Sequence, residues 1–186
     1  LKPGAVSGVR VVLRGTLPED ALDVVLAAFL KGLLASLLSE SVNYINATLL
    51  ARDRGLSIQA IHEPGQGRYP VEVAAECATP AGRRVVTGTV FGTRDVRIIG
   101  LDGYHFEAKP EGHLLIYYNT DRPGMLARVS AILARRSINI ADLSLGRLKP
   151  GERALTVIAT DQPVSGDVRS EIGQIEGVSD IHSLLL

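Results

Sequence analysis

There is no tryptophan in these 186 residues, only one cysteine, and only three phenylalanines. The lone Cys77 excludes an internal disulfide and any cysteine-based metal cluster, and it fits a reducing cytosol. So few aromatic rings leave little with which to stack on bases or sugars. The 20 basic and 20 acidic residues cancel. The global positive field of a nucleic-acid binder is therefore missing. No apolar run reaches the roughly 18 uninterrupted residues of a membrane span. The nearest, residues 21–38, carries Asp23 and Lys31 and reads as a buried helix. Catalytic and metal signatures are missing too. There is no G-x-G-x-x-G leading into a helix, no P-loop, no H-E-x-x-H and no C-x-x-C. His62, His105, His113 and His182 are scattered, and Cys77 lies among alanines with no cationic neighbour to lower its pKa. A chain that starts at Leu1 with no basic-then-apolar leader reads as a piece of a longer product.

What is present is a chain 46% hydrophobic, enough for one or two cores. Residues 9–14 read as a strand. Thr16-Leu17-Pro18-Glu19 has the form of a capping box. Leu22, Val25, Leu26, Phe29, Leu30, Leu33, Leu34 and Leu37 then fall at helical spacing. A second helix is expected from about Ser41 to Arg54, closed by Gly55, and a strand from Leu56 to His62. From 70 to 107, short β-prone runs alternate with Gly and Pro signals, including a turn at Ala81-Gly82. That pattern predicts an antiparallel meander.

A Pro/Gly-bearing stretch at Ala108 to Gly112 marks a domain boundary, giving domains 1–110 and 111–186. Beyond it the expected order is strand 113–118, helix 123–135, strand 137–147, strand 153–160, helix 165–175 and strand 178–186. This is the βαββαβ ferredoxin-like arrangement. It leaves one sheet face or edge for a partner. Ile138 and Ile140 disagree in parity with Leu143 and Leu145. Either a bulge near Ala141-Asp142 reconciles them, or both faces of the strand are partly buried. The fold class is α+β, an antiparallel sheet with two helices followed by the βαββαβ domain.

The stretch "NTDRPGML", Asn119 to Leu126, joins a strand to a helix. A helix start exposes free amides and partial positive charge, so a carboxylate can dock around Gly124 and Met125. Pro123 suits an early helical position. Asp121 offers charge for an ammonium, and Asn119 offers a donor and an acceptor. Together they suit an α-amino acid. A plain helix cap by Asp121 fits the same residues.

"NTDRPGMLARVSAILARRSINIADLSLGR" resembles the first half of an ACT domain, a regulatory module of amino-acid metabolism. "SVNYINATLLARDRGLSI" and "VTGTVFGTRDVRIIGLDGYHFEAKPEGHLLIYYNTDRPG" resemble the C-terminal half of long-form D-3-phosphoglycerate dehydrogenase. In that form an intervening, allosteric substrate-binding domain precedes the ACT domain. The resemblance implies L-serine as effector, bound at an ACT–ACT interface of a homo-oligomer. It implies Asn119, Asp121, Pro123, Gly124 and Met125 on one chain and Asn139 on the partner. It also implies an anion site at Arg97 and Lys109; on sequence alone Arg10, Arg14, Arg83, Arg84 and Arg94 serve equally well as basic candidates. NAD and the catalytic domain would lie in a portion of the polypeptide outside this chain, and the location would be cytoplasmic. The alternatives are the regulatory part of an iron–sulfur L-serine dehydratase, and a dimerisation module with an empty ligand site.

Overall fold

The computed structural model describes residues 6–65, 67–80 and 82–186. The chain divides into two compact units, Leu1–Asp95 and Val96–Leu186. The first contains β1 (Gly8–Gly15), α1 (Ala21–Ala35), α2 (Ala47–Asp53), β2 (Ser57–Glu63), β3 (Val71–Thr79) and β4 (Gly82–Phe91). Its strands lie in the order β2-β1-β3-β4. β3 pairs antiparallel with β4, as the meander predicts, and on its other edge pairs antiparallel with β1 as well. β2, however, runs parallel to β1. The sheet is mixed because α1 and α2 form the long crossover that a parallel pair needs. Both helices lie on one face. Val9, Val11, Ala75 and Cys77 from the sheet meet Leu26, Leu30, Leu34, Ala47 and Ala51. Leu30 and Leu34 are fully buried there, each stabilising the unit by about 2 kcal/mol. Cys77 is the small buried hydrophobe expected, and burial, reinforced by Glu76, raises its thiol pKa.

Two helix starts differ from the sequence expectation. α1 begins at Ala21 behind Asp20, which makes no side-chain cap. The Pro18 carbonyl instead accepts from Ala21 N at 3.1 Å. The capping box from Thr16 is displaced because a residue before proline favours extended backbone. α2 begins at Ala47 rather than near Ser41. Asn43 Oδ1 accepts from Ile45 N and Asn46 N, while Asn46 Oδ1 accepts from Asn43 N. These side-chain bonds offer the backbone a turn in place of a helix. Gly55 closes α2 with φ +74°, as read. Of the predicted turn at Ala81-Gly82, Ala81 lies outside the described residues.

The second unit contains β5 (Asp95–Leu101), β6 (Tyr104–Ala108), β7 (His113–Thr120), α3 (Met125–Arg135), β8 (Ile140–Arg147), β9 (Arg153–Thr160), α4 (Gly166–Gly173) and β10 (Val178–Leu185). From β7 onward this is the βαββαβ order. Its four strands form an antiparallel sheet in the order β10-β7-β9-β8. Leu115, Tyr117 and Ile158 on one face pack against Val129, Ile132 and Leu133 of α3 and Val168 and Ile172 of α4. The other face is not left open. Tyr118, Leu155 and Val157 are covered by Tyr104, Phe106 and Ala108 of the β5–β6 hairpin. The contact is close: a Cβ on Gly146 of β8 would stand 2.5 Å from the His105 carbonyl oxygen of β6.

β8 starts at Ile140, three residues later than read, because α3 ends in a left-handed turn. Ser137 has φ +54°, and Ile138 N donates back to Leu133 O at 2.9 Å. The register of β8 on β9 slips between Ile140 and Asp142, leaving Ala141 as the extra residue. This bulge lets Ile140 and Leu143 face the same helical core despite their unequal parity. No helix among the described residues is long and apolar enough to cross a membrane.

Candidate functional site

The strand β7 delivers the "NTDRPGML" stretch to one end of its sheet. Asn119 shares the helix-side face with Leu115 and Tyr117, and is only 4% exposed. Its Oδ1 accepts from Thr156 Oγ1 at 2.9 Å, and its Nδ2 donates to Thr120 O at 2.9 Å. One donor and one acceptor position of the amide remain. Next to this pair, burial pushes the Tyr117 phenol up to about 12, only partly offset by Thr156. Its hydroxyl has no well-formed hydrogen bond among the described residues.

Asp121 does not cap the helix that follows. Its carboxylate accepts from Gly151 N at 3.1 Å and from Arg147 Nη1 at 3.3 Å. It thus clamps the β8–β9 turn. The Gly151 amide, with Arg147, holds its carboxyl below the usual carboxylate range. A depressed acid stabilises the fold at pH values above its unfolded pKa. That contribution is lost as pH falls through the folded value. The unfolding midpoint of wild type should therefore exceed that of Asp121→Asn at neutral pH. The difference should vanish on acidification below the carboxylate range. A gap that persists unchanged at acid pH would show that the clamp does not depend on the carboxylate's charge.

The cap position of α3 falls to Gly124, with φ +87° and no side-chain cap bond. A Cβ on Gly124 would meet no atom of the described residues within 4 Å, so the backbone there is open to approach. Met125 is buried as the first helical residue, and Pro123 is exposed beside it. Arg122, which sequence reasoning did not single out, ties this loop down. It donates to Glu176 O at 2.7 Å, and Thr120 N donates to Gly177 O at 2.9 Å.

Asn139 lies elsewhere. The ladders pair Thr120 with Arg153 at one end of the sheet, and both His113 and Ile140 with Thr160 at the other. Asn139 immediately precedes Ile140. The two ends are the first and last residues of the 8-residue strand β9, roughly 23 Å apart. Asn139 is exposed, with Nδ2 donating to Asp161 Oδ2 at 2.7 Å and its N–H to Gln162 Oε1 at 2.8 Å. One chain therefore does not bring Asn139 to Asp121.

At that far end, on the face covered by the hairpin, lies a hollow of about 440 Å³. Val157 and Ala159 line it together with Glu107, Lys109, Glu111 and Asp142. β5 and β6 pair with Ile98 opposite Ala108, which brings Arg97 and Lys109 to the same end of the hairpin. Lys109 lines the hollow, but its Nζ is 3.7 Å from Glu111 Oε1. An anion entering there would meet three carboxylates, a cost that Lys109 and the Arg97 end of the hairpin must offset.

Comparison with known families places the chain. The sequence model of the D-3-phosphoglycerate dehydrogenase intervening domain matches residues 1–102, more than half the chain. This chain belongs to that family. The ACT domain model matches residues 113–177, so an intervening domain is followed by an ACT domain. A D-3-phosphoglycerate dehydrogenase of Methanocaldococcus jannaschii is 29% identical over 178 residues, covering 96% of this chain and 34% of that protein. One from Archaeoglobus fulgidus is 31% identical over 179 residues, covering 95% and 34%. One from Synechocystis is 27% identical over 188 residues, covering 100% and 34%. The chain thus spans about a third of the length of the curated relatives it matches. The resemblance read from the "NTDRPG" and "VNYINATLL" stretches is the family matched here.

Proposed function

We propose that this chain is the regulatory portion of an NAD-dependent D-3-phosphoglycerate dehydrogenase that senses L-serine. The domains would be residues 1–110 and 111–186. Oxidation of 3-phosphoglycerate, the first step of serine biosynthesis, and NAD binding would belong to a catalytic portion beyond this chain, in the cytoplasm. The observation that carries the effector reading is the division of the site. Asn119, Asp121, Pro123, Gly124 and Met125 gather at one end of the ACT sheet, and Asn139 stands at the other. A second copy is needed to bring the two halves together. Serine's carboxylate would meet the backbone amides around Gly124 and Met125, and its ammonium Asp121. Its hydroxyl would meet the partner copy's equivalent of Asn139. A site built to pair a hydroxyl discriminates strongly against analogues that lack one.

Serine bound across two ACT domains would favour one relative orientation of the protomers. Inhibition follows only if the two orientations differ in affinity, since equal binding shifts nothing. Arg97 and Lys109 would hold an anionic group of the substrate at the hollow beside the hairpin. The dimerisation reading, with no effector, draws support from Asp121 itself, already engaged by Arg147 and Gly151. Calorimetric titration of the chain with L-serine separates the two readings. Saturable heat at one serine per chain is expected, with L-alanine binding far more weakly. No heat and no thermal shift leaves the dimerisation module as the function.

A further inference from the structure

A second hollow, of about 290 Å³, lies on the helix-free face of the intervening-domain sheet. The strand register builds it. Arg10 on β1 stands between Gln59 of β2 and Glu76 of β3. Two residues back on the same face, Gly8 stands between Ser57 and Ala78. A glycine and an alanine beside an arginine leave open space over the sheet. A Cβ on Gly8 would already touch Ser57 at 3.4 Å, so the small residue keeps the floor low.

The charges in this hollow do not cancel. Arg83 Nη1 lies 3.3 Å from Glu76 Oε1, so the carboxylate is already engaged. Arg10 is half-buried, and its Nε is shielded from solvent with no hydrogen-bond partner among the described residues. Arg14 on the same strand differs: its Nε donates to Glu63 at 2.7 Å. A shielded guanidinium N–H is unfavourable without an acceptor. The planar fork of arginine suits the paired oxygens of a carboxylate or phosphate. Ser7, Ser57 and Gln59 supply further donors around the rim.

We propose that this hollow is a binding site for a small oxyanion, with Arg10 as its principal ligand and Arg83 as the second cation. It is separate from the hollow lined by Lys109, which lies in the other unit. It does not depend on the serine reading.

The test is thermal unfolding and calorimetry of the 186-residue chain with inorganic phosphate, and separately with malonate, at constant ionic strength. A rise in unfolding temperature with phosphate alone identifies a phosphate site; with malonate alone, a carboxylate site; with both, a general oxyanion site. The rise is expected to be absent in Arg10→Gln and retained in Lys109→Gln. Arg10→Lys keeps charge and length but not the fork, and should weaken the dissociation constant about tenfold. It keeps the proposal testable should Arg10→Gln not fold. No response to either anion, a response that survives Arg10→Gln, a response lost in Lys109→Gln, or unchanged affinity in Arg10→Lys would each overturn the assignment.

Discussion

Gly146→Ala is expected to destabilise the ACT-containing unit by about 3 kcal/mol, at the upper end for overpacking. The added Cβ would sit 2.5 Å from the His105 carbonyl oxygen and 3.3 Å from the Tyr104 Cβ. The closest atom belongs to backbone, so no side-chain rotation relieves the clash. Either β6 lifts from β8 or β8 bends away. In both cases Tyr104, Phe106 and Ala108 lose their seat on Tyr118, Leu155 and Val157. Chemical denaturation measures this directly, with a lowered midpoint. Hydrogen exchange should show protection lost first on β6, where Glu107 N donates to Ser144 Oγ at 3.1 Å. A midpoint within a few tenths of a kcal/mol of wild type would mean the hairpin does not grip the sheet as described.

Asp121→Asn should weaken L-serine binding by about thirtyfold, roughly 2 kcal/mol, if serine's ammonium rests on this carboxylate. The amide keeps shape and hydrogen-bonding capacity but loses the charge. Competition with Arg147, 3.3 Å away, makes the outcome informative. Arg147→Gln should leave Asp121 free of its cation and tighten serine binding, the opposite sign to Asp121→Asn. Calorimetry on both variants checks the pair. Unaltered affinity in Asp121→Asn moves the ammonium contact to another residue while leaving the family membership untouched.

Much of the second unit was legible from residues close in sequence. Strand 153–160 has the read boundaries, and the parity conflict between Ile140 and Leu143 located the bulge at Ala141. Turn chemistry was harder to read. Asn43 and Asn46 read as part of a helix from about Ser41 until their amides are seen to bond each other's backbone. Long-range partners were not legible at all. Asp121 reads from its local sequence first as a cap and then as a ligand. Its partners Arg147 and Gly151 are 26 and 30 residues away, and nothing local names them. That the β5–β6 hairpin also covers Tyr118, Leu155 and Val157 was not legible either. Periodicity reports that a strand buries one face, but not which neighbour covers it.

The extra residue in β8 also governs what the gene can change there. Substitutions at Ala141 alter one exposed position on a strand edge. Losing its codon is different in kind. Side chains before and after the bulge reach the same core only because one residue is left over. Without it, either Ile140 or Leu143 must turn to the opposite face. This strand is thus constrained in length more tightly than in composition, and relatives that keep the packing should align through it without gaps.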